Sequence, residues 1–279
     1  MPERVLICTD LDRTLLPNGA PPESPGARER FRALIARPEV ELAFVSGRHR
    51  ALVEAAIAEY DLPQPNFVIG DVGSSIYAVE DGDWSHWSRW NQVLEGDWGT
   101  RDGAGLISLF EDMELLTAQE DEKQGRFKSS YYAPSDADVE QLTTEMRSRL
   151  DAAGLPSQII WSVDDNEGVG LIDVLPQQAS KLGAVRFLMQ NTGHGLGNTL
   201  FAGDSGNDLA VLCSEVPAVL VANATDAVRE QALRLSREAG NADVLYAARG
   251  GLHGMNGNYS AGIMEGLVHY LPDTERWID

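Results

Sequence analysis

Two aspartates separated by a single residue follow the first apolar segment of the chain. The segment Val5–Cys8 is apolar, Asp10 and Asp12 come just after it, and Thr14 follows. Such a segment is typical of a buried parallel strand, and the ligand sites of open α/β sheets lie at the carboxyl ends of their strands. Residues two apart on an extended chain point the same way, so both carboxylates can face one pocket. Because they repel each other, they require a bound cation, a shared proton or separated pKa values.

Mg²⁺ meets this requirement, because it prefers oxygen ligands and is often held by carboxylates together with a substrate phosphate. The alternative is an Asp-rich turn that caps the following helix and binds nothing. A metal and phosphate site requires further polar groups at neighbouring strand ends, so the rest of the chain decides between the two interpretations.

A second predicted strand, Glu41–Val45, also ends in polar residues. It runs into Ser46, Gly47 and Arg48 at the start of a predicted helix. A hydroxyl and backbone N–H groups at a helix N-terminus can bind phosphate, which makes Ser46 and Gly47 candidate phosphate-binding residues. Ser46 as an ordinary helix N-cap gives the same pattern and stays open as an alternative.

A third predicted strand, Asn198–Gly203, leads into Asp204, Asn207 and Asp208, and Lys181 lies in the first turn of the preceding predicted helix. Phosphoryl transfer from an ester uses this set of groups. One carboxylate attacks phosphorus, another carries the proton of the leaving group, carboxylates hold a metal, and a cation with a hydroxyl binds the phosphoryl oxygens. The sequence therefore predicts phosphoryl transfer at one edge of a sheet.

The elements that position these residues alternate between strand and helix, which predicts an α/β fold with a parallel sheet. The alternation covers residues 1–80 and resumes over residues 176–279. Between them, residues 81–175 contain predicted helices at Gly105–Leu116 and Asp136–Ala153 together with clustered strands. We therefore expect a core formed by both ends of the chain and a smaller inserted α+β domain.

Composition limits the possible partners. The 279 residues include 43 acidic and 22 basic side chains, a formal net charge of −21, so the chain has no basic surface for nucleic acid. No apolar run approaches the roughly 20 residues of a membrane span. Without a leader-like N-terminal segment, we expect a cytoplasmic protein that acts on a small molecule. The sequence does not fix the oligomeric state, and a monomer is favoured over an oligomer.

Four motifs together resemble, in order, those of the haloacid dehalogenase (HAD) superfamily: Asp10–Thr14, Ser46–Arg48, Lys181 and Gly203–Asp208. The resemblance implies a Rossmann-like HAD core, and an insertion between the second and third motifs resembles a type C2 cap. Within the superfamily the chain is most similar to sucrose-phosphate phosphatases. The segments that carry this similarity are Gly73–Tyr77, Phe127–Tyr131 and Ser260–Ile263.

The resemblance also implies roles for the motif residues. Asp10 would be the nucleophile that forms an aspartyl-phosphate, and Asp12 the acid and base that serves the sugar oxygen and then water. Ser46 and Lys181 would bind the phosphoryl oxygens. Mg²⁺ would be held by a group of acidic and amide residues, Asp10, Asp12 (through its carbonyl), Asp204, Asn207 and Asp208.

The substrate implied by the resemblance is a disaccharide phosphate such as sucrose 6-phosphate. Arg48 and Lys128 are the candidate substrate-binding residues, although Lys128 could equally be a solvated lysine on a strand. Four tryptophans in the insertion could stack on a sugar or simply be buried: Trp84, Trp87, Trp90 and Trp98. Other activities remain open, namely hydrolysis of mannosylfructose phosphate or mannosyl-3-phosphoglycerate, a hexose phosphomutase, and a receiver-like phospho-accepting module.

Overall fold

The computed structural model describes residues 4–164 and 167–278. The strands within these ranges are, in chain order, β1 (Val5–Thr9), β2 (Val40–Val45), β3 (Phe67–Gly70), β4 (Ser75–Glu80), β5 (Asp83–His86), β6 (Thr117–Ala118), β7 (Ser129–Pro134), β8 (Ser157–Asp164), β9 (Val169–Pro176), β10 (Thr199–Gly203), β11 (Ala218–Leu220) and β12 (Leu245–Ala247). The α-helices are α1 (Ala27–Ile35), α2 (Arg50–Glu59), α3 (Ser88–Trp98), α4 (Gly103–Leu106), α5 (Val139–Ala152), α6 (Lys181–Thr192), α7 (Leu209–Leu212), α8 (Asp226–Glu238) and α9 (Ser260–Tyr270). Short 3₁₀ turns connect several of them.

The larger sheet has the strand order β12-β11-β10-β1-β2-β3-β4-β5. Its strands are parallel from β12 to β3, and β4 and β5 are antiparallel to their neighbours. Every residue of β1 is buried, as expected for an apolar strand covered on both faces. The chain proceeds outward from β1 through β2 and β3 on one side and from β10 through β11 and β12 on the other. The point between β1 and β10 is therefore the topological switch point, where ligands bind in such sheets.

The smaller sheet is antiparallel, with the order β6-β7-β9-β8. Its apolar face packs on α3 to α5, and the rings of Phe110 and Tyr131 meet edge-on with centroids 5.5 Å apart. This unit lies between the second and third motifs and is called the cap below. The α/β prediction with a parallel core sheet and an inserted α+β cap is thereby confirmed.

The limits of the cap follow from strand pairing. The sequence places the start of the insertion at residue 81, but β5 pairs with β4 at the edge of the larger sheet. The last cap strand, β9, ends at Pro176. We propose that the core comprises residues up to about 87 and from 177 onward, with the cap between them.

The Trp-rich segment folds as β5, which contains Trp84, and α3, a helix that the sequence interpretation did not assign. Trp90, Leu94 and Trp98 recur at intervals of four residues and are all buried, which is the spacing of one helical face. Trp90 and Trp98 are thus core side chains, as the simpler interpretation held. The predicted helix Gly105–Leu116 is wrong in its extent. The α-helix there is only α4, followed by a 3₁₀ turn at Ile107–Leu109.

No helix within the described ranges combines the length and apolar character needed to cross a bilayer.

Candidate active site

Asp10 lies at the switch point, directly after β1. Its backbone N–H donates to the carbonyl of Ala202 at 2.9 Å, so the pairing of β1 with β10 continues up to the residue itself. The side chain is only 4% exposed. Burial raises the pKa of the Asp10 carboxyl above its ordinary value, and the ammonium group of Lys181 opposes that rise. Burial alone thus disfavours the ionised form that a nucleophile requires, and the neighbouring ammonium group favours it.

Lys181 connects Asp10, which follows β1, with Asp208, which follows β10. It is the first residue of α6, whose N-cap Ser180 accepts a hydrogen bond from the backbone of Gly183. Its Nζ donates to Asp10 Oδ1 at 2.8 Å and to Asp208 Oδ1 at 2.7 Å. Burial lowers the pKa of Lys181, but these two carboxylates outweigh it and raise the pKa above its ordinary value. The lysine is therefore a permanent cation inside the cluster.

Asp204 and Asp208 follow β10 and complete a group of three buried carboxylates with Asp10. One oxygen atom of each lies within 4.8 Å of the others. Asp204 accepts a hydrogen bond from Thr14 Oγ1 at 3.1 Å and lies 3.3 Å from Arg13 Nε. Burial and the charge of Asp208 raise the pKa of Asp204 to about 6.

The donor set of this group suits a divalent metal. Three buried carboxylates are accompanied by two cations, Lys181 beside Asp10 and Asp208 and the half-exposed Arg13 beside Asp204, so the cluster carries excess negative charge that burial makes costly. In proteins, Mg²⁺ is bound by hard oxygen ligands, among them carboxylates whose negative charge is only partly compensated. Asn207 lies beside the group, with its Oδ1 accepting from Lys181 Nζ at 3.1 Å. The predicted ligands Asp10, Asp204, Asn207 and Asp208 are thus brought together.

The Asp12 side chain turns away from this group. Because β1 ends at Thr9, strand alternation does not continue to Asp12. Its carboxylate instead binds Arg48 through two hydrogen bonds, from Nε at 2.8 Å and from Nη2 at 2.7 Å. Partial burial tends to raise the pKa of Asp12, but the hydrogen bonds and charge of Arg48 outweigh it, so the pKa lies below its ordinary value.

Asn18 is a site residue that the sequence interpretation missed. Its Nδ2 donates to Asp12 Oδ1 at 2.8 Å, and its Oδ1 accepts from the backbone of Arg13, also at 2.8 Å. It therefore connects the Asp12 carboxylate to the turn that follows it. An asparagine four residues beyond the Asp10–Thr14 motif was the available signal, but its role depends on a loop conformation that spacing does not reveal.

Ser46 lies at the end of β2, 1% exposed. Its Oγ accepts a hydrogen bond from the backbone N–H of Arg48 at 3.1 Å. The helix α2 begins only at Arg50, and its N-cap is His49. The interpretation of Ser46 as an ordinary N-cap is therefore excluded, and Ser46 is located where β2 reaches the same sheet edge as Asp10.

A cleft of about 840 Å³ lies between core and cap and reaches Asp10. The core side of its wall includes Asp10, Asp12, Gly47, Arg48 and Asn207, and the cap side includes Gln119, Lys123, Lys128, Tyr132 and Asp173. Lys128 is buried, so it is not a solvated strand lysine. Within the described ranges, no tryptophan lines this cleft, and Tyr132 is the aromatic side chain available to a sugar.

Comparison with known sequences gives one family match over nearly the whole chain. The family model described as Sucrose-6F-phosphate phosphohydrolase matches residues 3–271. A protein of Nitrosococcus oceani named as a HAD-like hydrolase is 51% identical over 280 residues, which cover 100% of this chain and 75% of that protein. A mannosylfructose-phosphate phosphatase of Agrobacterium fabrum is 31% identical, over 78% of this chain and 83% of that protein.

Sucrose-phosphatase 1 of Nicotiana tabacum is 28% identical, over 96% of this chain but only 59% of that protein. The chain thus spans little more than half the length of this plant relative. Among solved structures, the sucrose-phosphatase of Synechocystis sp. PCC6803, in complex with sucrose and phosphate, matches with a TM-score of 0.74. The identity is 23%, over 96% of this chain and 98% of that one, so this match supports the fold.

Proposed function

Because the chain belongs to the sucrose-6F-phosphate phosphohydrolase family, a family of HAD-superfamily sugar phosphatases, we propose that it hydrolyses a disaccharide phosphate such as sucrose 6-phosphate. The observation that carries the proposal is the buried cluster of Asp10, Asp204, Asp208 and Lys181, whose member Asp10 lines a cleft that the cap also lines. A phosphate ester suits this cluster, because a carboxylate nucleophile, metal ligands and a cation meet at one place.

Asp10 is the nucleophile of the proposed reaction. One oxygen of its carboxylate forms a bond to phosphorus while the bond from phosphorus to the sugar oxygen breaks, and Asp12 gives its proton to that oxygen. Water then attacks the phosphorus of the aspartyl-phosphate and returns a proton to Asp12, and the bond to Asp10 breaks. Phosphate leaves, and both carboxyl groups regain their starting states. Lys181 and Ser46 bind the phosphoryl oxygens throughout.

Arg48 must release Asp12 for the first step. While the two are paired, the pKa of Asp12 lies below its ordinary value, which favours the ionised form, whereas an acid must carry a proton. A substrate group that takes the guanidinium of Arg48 removes this charge from Asp12 and allows its pKa to rise. Arg48 thus keeps its predicted role in substrate binding and also sets the proton affinity of Asp12.

Mg²⁺ is the proposed cofactor, and when bound it stabilises the negative charge that develops on the phosphoryl oxygens. The carboxylates of Asp10, Asp204 and Asp208 would hold it, with Asn207 and the backbone carbonyl of Asp12 as further candidate ligands. Lys181 would then share the charge of the cluster with the metal, which leaves the nucleophile ionised.

Removal of divalent metal by EDTA is expected to abolish phosphate release, and Mg²⁺ should restore it. Mg²⁺ should also raise the melting temperature, because a cation that binds only the folded cluster stabilises it and relieves repulsion among buried carboxylates. Asp204→Asn is the matched variant, in which the Mg²⁺-dependent rise should shrink. Full activity in EDTA with a melting temperature that Mg²⁺ leaves unchanged contradicts the metal site.

A panel of sugar phosphates, with phosphate release as the readout, tests the substrate. We expect sucrose 6-phosphate to give the highest kcat/KM. Mannosylfructose phosphate is the second candidate, because the Agrobacterium fabrum relative is 31% identical over most of both chains. A preference for a monosaccharide phosphate would overturn the disaccharide assignment. An isomerised sugar phosphate in place of free phosphate would show a phosphomutase instead.

A further inference from the structure

Three consecutive residues after β3 have positive φ angles. Asp71 has a φ of 50°, Val72 of 60° and Gly73 of 101°. Left-handed backbone is uncommon outside glycine and is a true outlier for a β-branched residue such as valine. Such strain persists only where the surroundings impose it, and it occurs preferentially at functional sites. The surroundings of this turn therefore indicate what it does.

The turn is fixed from the core side by the phosphate-binding motif. The backbone N–H of Asp71 donates to the carbonyl of Arg48 at 3.0 Å, and that of Val72 donates to the carbonyl of Ser46 at 3.2 Å. Gly73 lies against the N-terminus of α6, where a Cβ atom would come within 2.4 Å of the Ser180 carbonyl carbon. The turn thus touches the segments that carry both predicted phosphate-binding side chains.

The same turn is attached to the cap at two points. Trp90 of α3 donates through Nε1 to the carbonyl of Gly73 at 3.0 Å. The Oδ1 atom of Asp71 lies 3.3 Å from Nζ of Lys128, and its Oδ2 accepts from Ser75 Oγ at 2.8 Å. The side chains of the pair are 17% and 9% exposed, respectively. A largely buried ion pair therefore joins core and cap.

The pair also separates two clefts. Lys128 lines the cleft of about 840 Å³ that reaches Asp10, whereas Asp71 lines a second cleft of about 820 Å³ on the other side. His49 borders both. The ion pair is thus part of the wall that bounds the substrate cleft. Because a lysine side chain has a flexible four-carbon stem, the direction of its ammonium group in this wall depends on its partner.

We propose that Asp71 is a positioning residue for the sugar phosphatase reaction, whose carboxylate fixes Lys128 in the wall of the substrate cleft while the cap lies against the core. This inference rests on the proposed function and adds to it that Lys128, a candidate substrate-binding residue that lines the cleft, contacts the sugar. Without Asp71, Lys128 becomes a buried ammonium group without its carboxylate, which disfavours the arrangement seen here. The arrangement in which the cap contacts the substrate is then less populated, and apparent affinity falls in proportion.

Asp71→Asn removes the charge but keeps the backbone geometry, because asparagine tolerates the left-handed region. We expect kcat/KM for the best sugar phosphate to fall about tenfold or more, mainly through KM, as removal of a binding interaction does. The loss for p-nitrophenyl phosphate, which has no sugar, should be clearly smaller. Asp61→Asn is the matched control. Asp61 also has a φ of 50° and an arginine partner, Arg32, but it is exposed and lies outside the cleft wall.

A double-mutant cycle with Lys128→Gln tests the pair itself. If Asp71 acts through Lys128, the double variant should lose little more than either single variant, and Asp71→Glu should recover part of the sugar selectivity. Additive losses, or equal losses on sugar phosphate and p-nitrophenyl phosphate, would overturn the proposal and assign Asp71 to the turn alone.

The same double-mutant cycle can be measured on the midpoint of urea unfolding, which does not depend on enzymatic turnover. A non-additive change supports the ion pair even if the wild type hydrolyses no sugar phosphate, whereas an additive one refutes it. A wild type that releases no phosphate from any sugar ester refutes the proposed function. The two failures are therefore distinguishable.

Discussion

Asp10→Asn is expected to abolish phosphate release from every substrate, with a loss on the order of 10⁴-fold or more, as for removal of a covalent nucleophile. The amide is nearly isosteric with the carboxylate but does not form the bond to phosphorus. It also removes one of the three buried carboxylates that would hold Mg²⁺. Phosphate release by the purified variant and wild type, assayed side by side, measures the effect.

Folding should survive this change. Lys181 keeps its hydrogen bond to Asp208 at 2.7 Å, so the substitution leaves the ammonium group with a carboxylate partner. We therefore expect the far-UV circular dichroism spectrum to be unchanged and any change in melting temperature to be small beside the loss of activity. Residual turnover above about 1% of the wild-type rate would contradict the role of Asp10 as the nucleophile, because enzymes that lack their nucleophile retain far less. If the variant did not fold, Asp208 alone would not be a sufficient partner for the ammonium group of Lys181, contrary to this expectation.

Lys181→Met is expected to reduce both activity and stability. The lysine is 3% exposed and holds Asp10 and Asp208 through short hydrogen bonds. Its removal leaves two buried carboxylates that face each other and Asp204. In EDTA we expect the free energy of unfolding to fall by about 3–5 kcal/mol, the usual cost of breaking a buried ion pair from one side. In Mg²⁺, kcat should fall by roughly 10²–10³-fold, because a preorganised charge on the phosphoryl oxygens is lost.

Mg²⁺ supplies a second readout for this variant. Because the metal can compensate the carboxylates that have lost their ammonium group, the stability loss should be smaller in Mg²⁺ than in EDTA. Arg186→Met is the matched control on the same helix. Its guanidinium pairs with Glu215 on the surface, so its removal should cost at most about 1 kcal/mol and leave the activity intact. Equal destabilisation by both variants would argue against a charged cluster.

Much of the site could be predicted from the sequence because the sheet imposes it. The carboxyl ends of adjacent parallel strands share one edge, so residues after β1, β2 and β10 converge whatever the loops do. Asp10, Ser46 and Asp204 are of this kind. The position of Lys181 could be predicted for a similar reason, because the helix that follows the cap begins at the same edge of the sheet.

Side chains whose direction depends on a loop were not predictable. Asp12 lies two residues beyond Asp10, but its carboxylate pairs with Arg48 and accepts a hydrogen bond from Asn18. Spacing predicts a common direction only while the strand continues, and β1 ends at Thr9. The pairing of Arg48 with a catalytic candidate therefore appeared only in the structure.

Contacts between core and cap lie beyond sequence patterns for a different reason. Asp71 follows a strand of the larger sheet, Lys128 precedes a strand of the smaller sheet, and neither has a motif that requires the other. Their proximity depends on how the cap rests on the core. The pairing of β5 with β4 was not predictable either, because β5 has no sequence feature that assigns it to the larger sheet rather than the smaller one.

The close approach of Gly73 to Ser180 limits how the cap can be exchanged between relatives. The chain passes from the turn at Gly73 through β4 and β5 into the cap and leaves the cap shortly before Ser180. Gly73 and Ser180 meet where a Cβ atom would not fit. A chimera cut at the cap boundaries alone would bring a foreign helix to the position of Trp90, which donates to Gly73. We therefore expect a chimera to keep these contacts only if the cap is transferred together with residues 71–75 and Ser180.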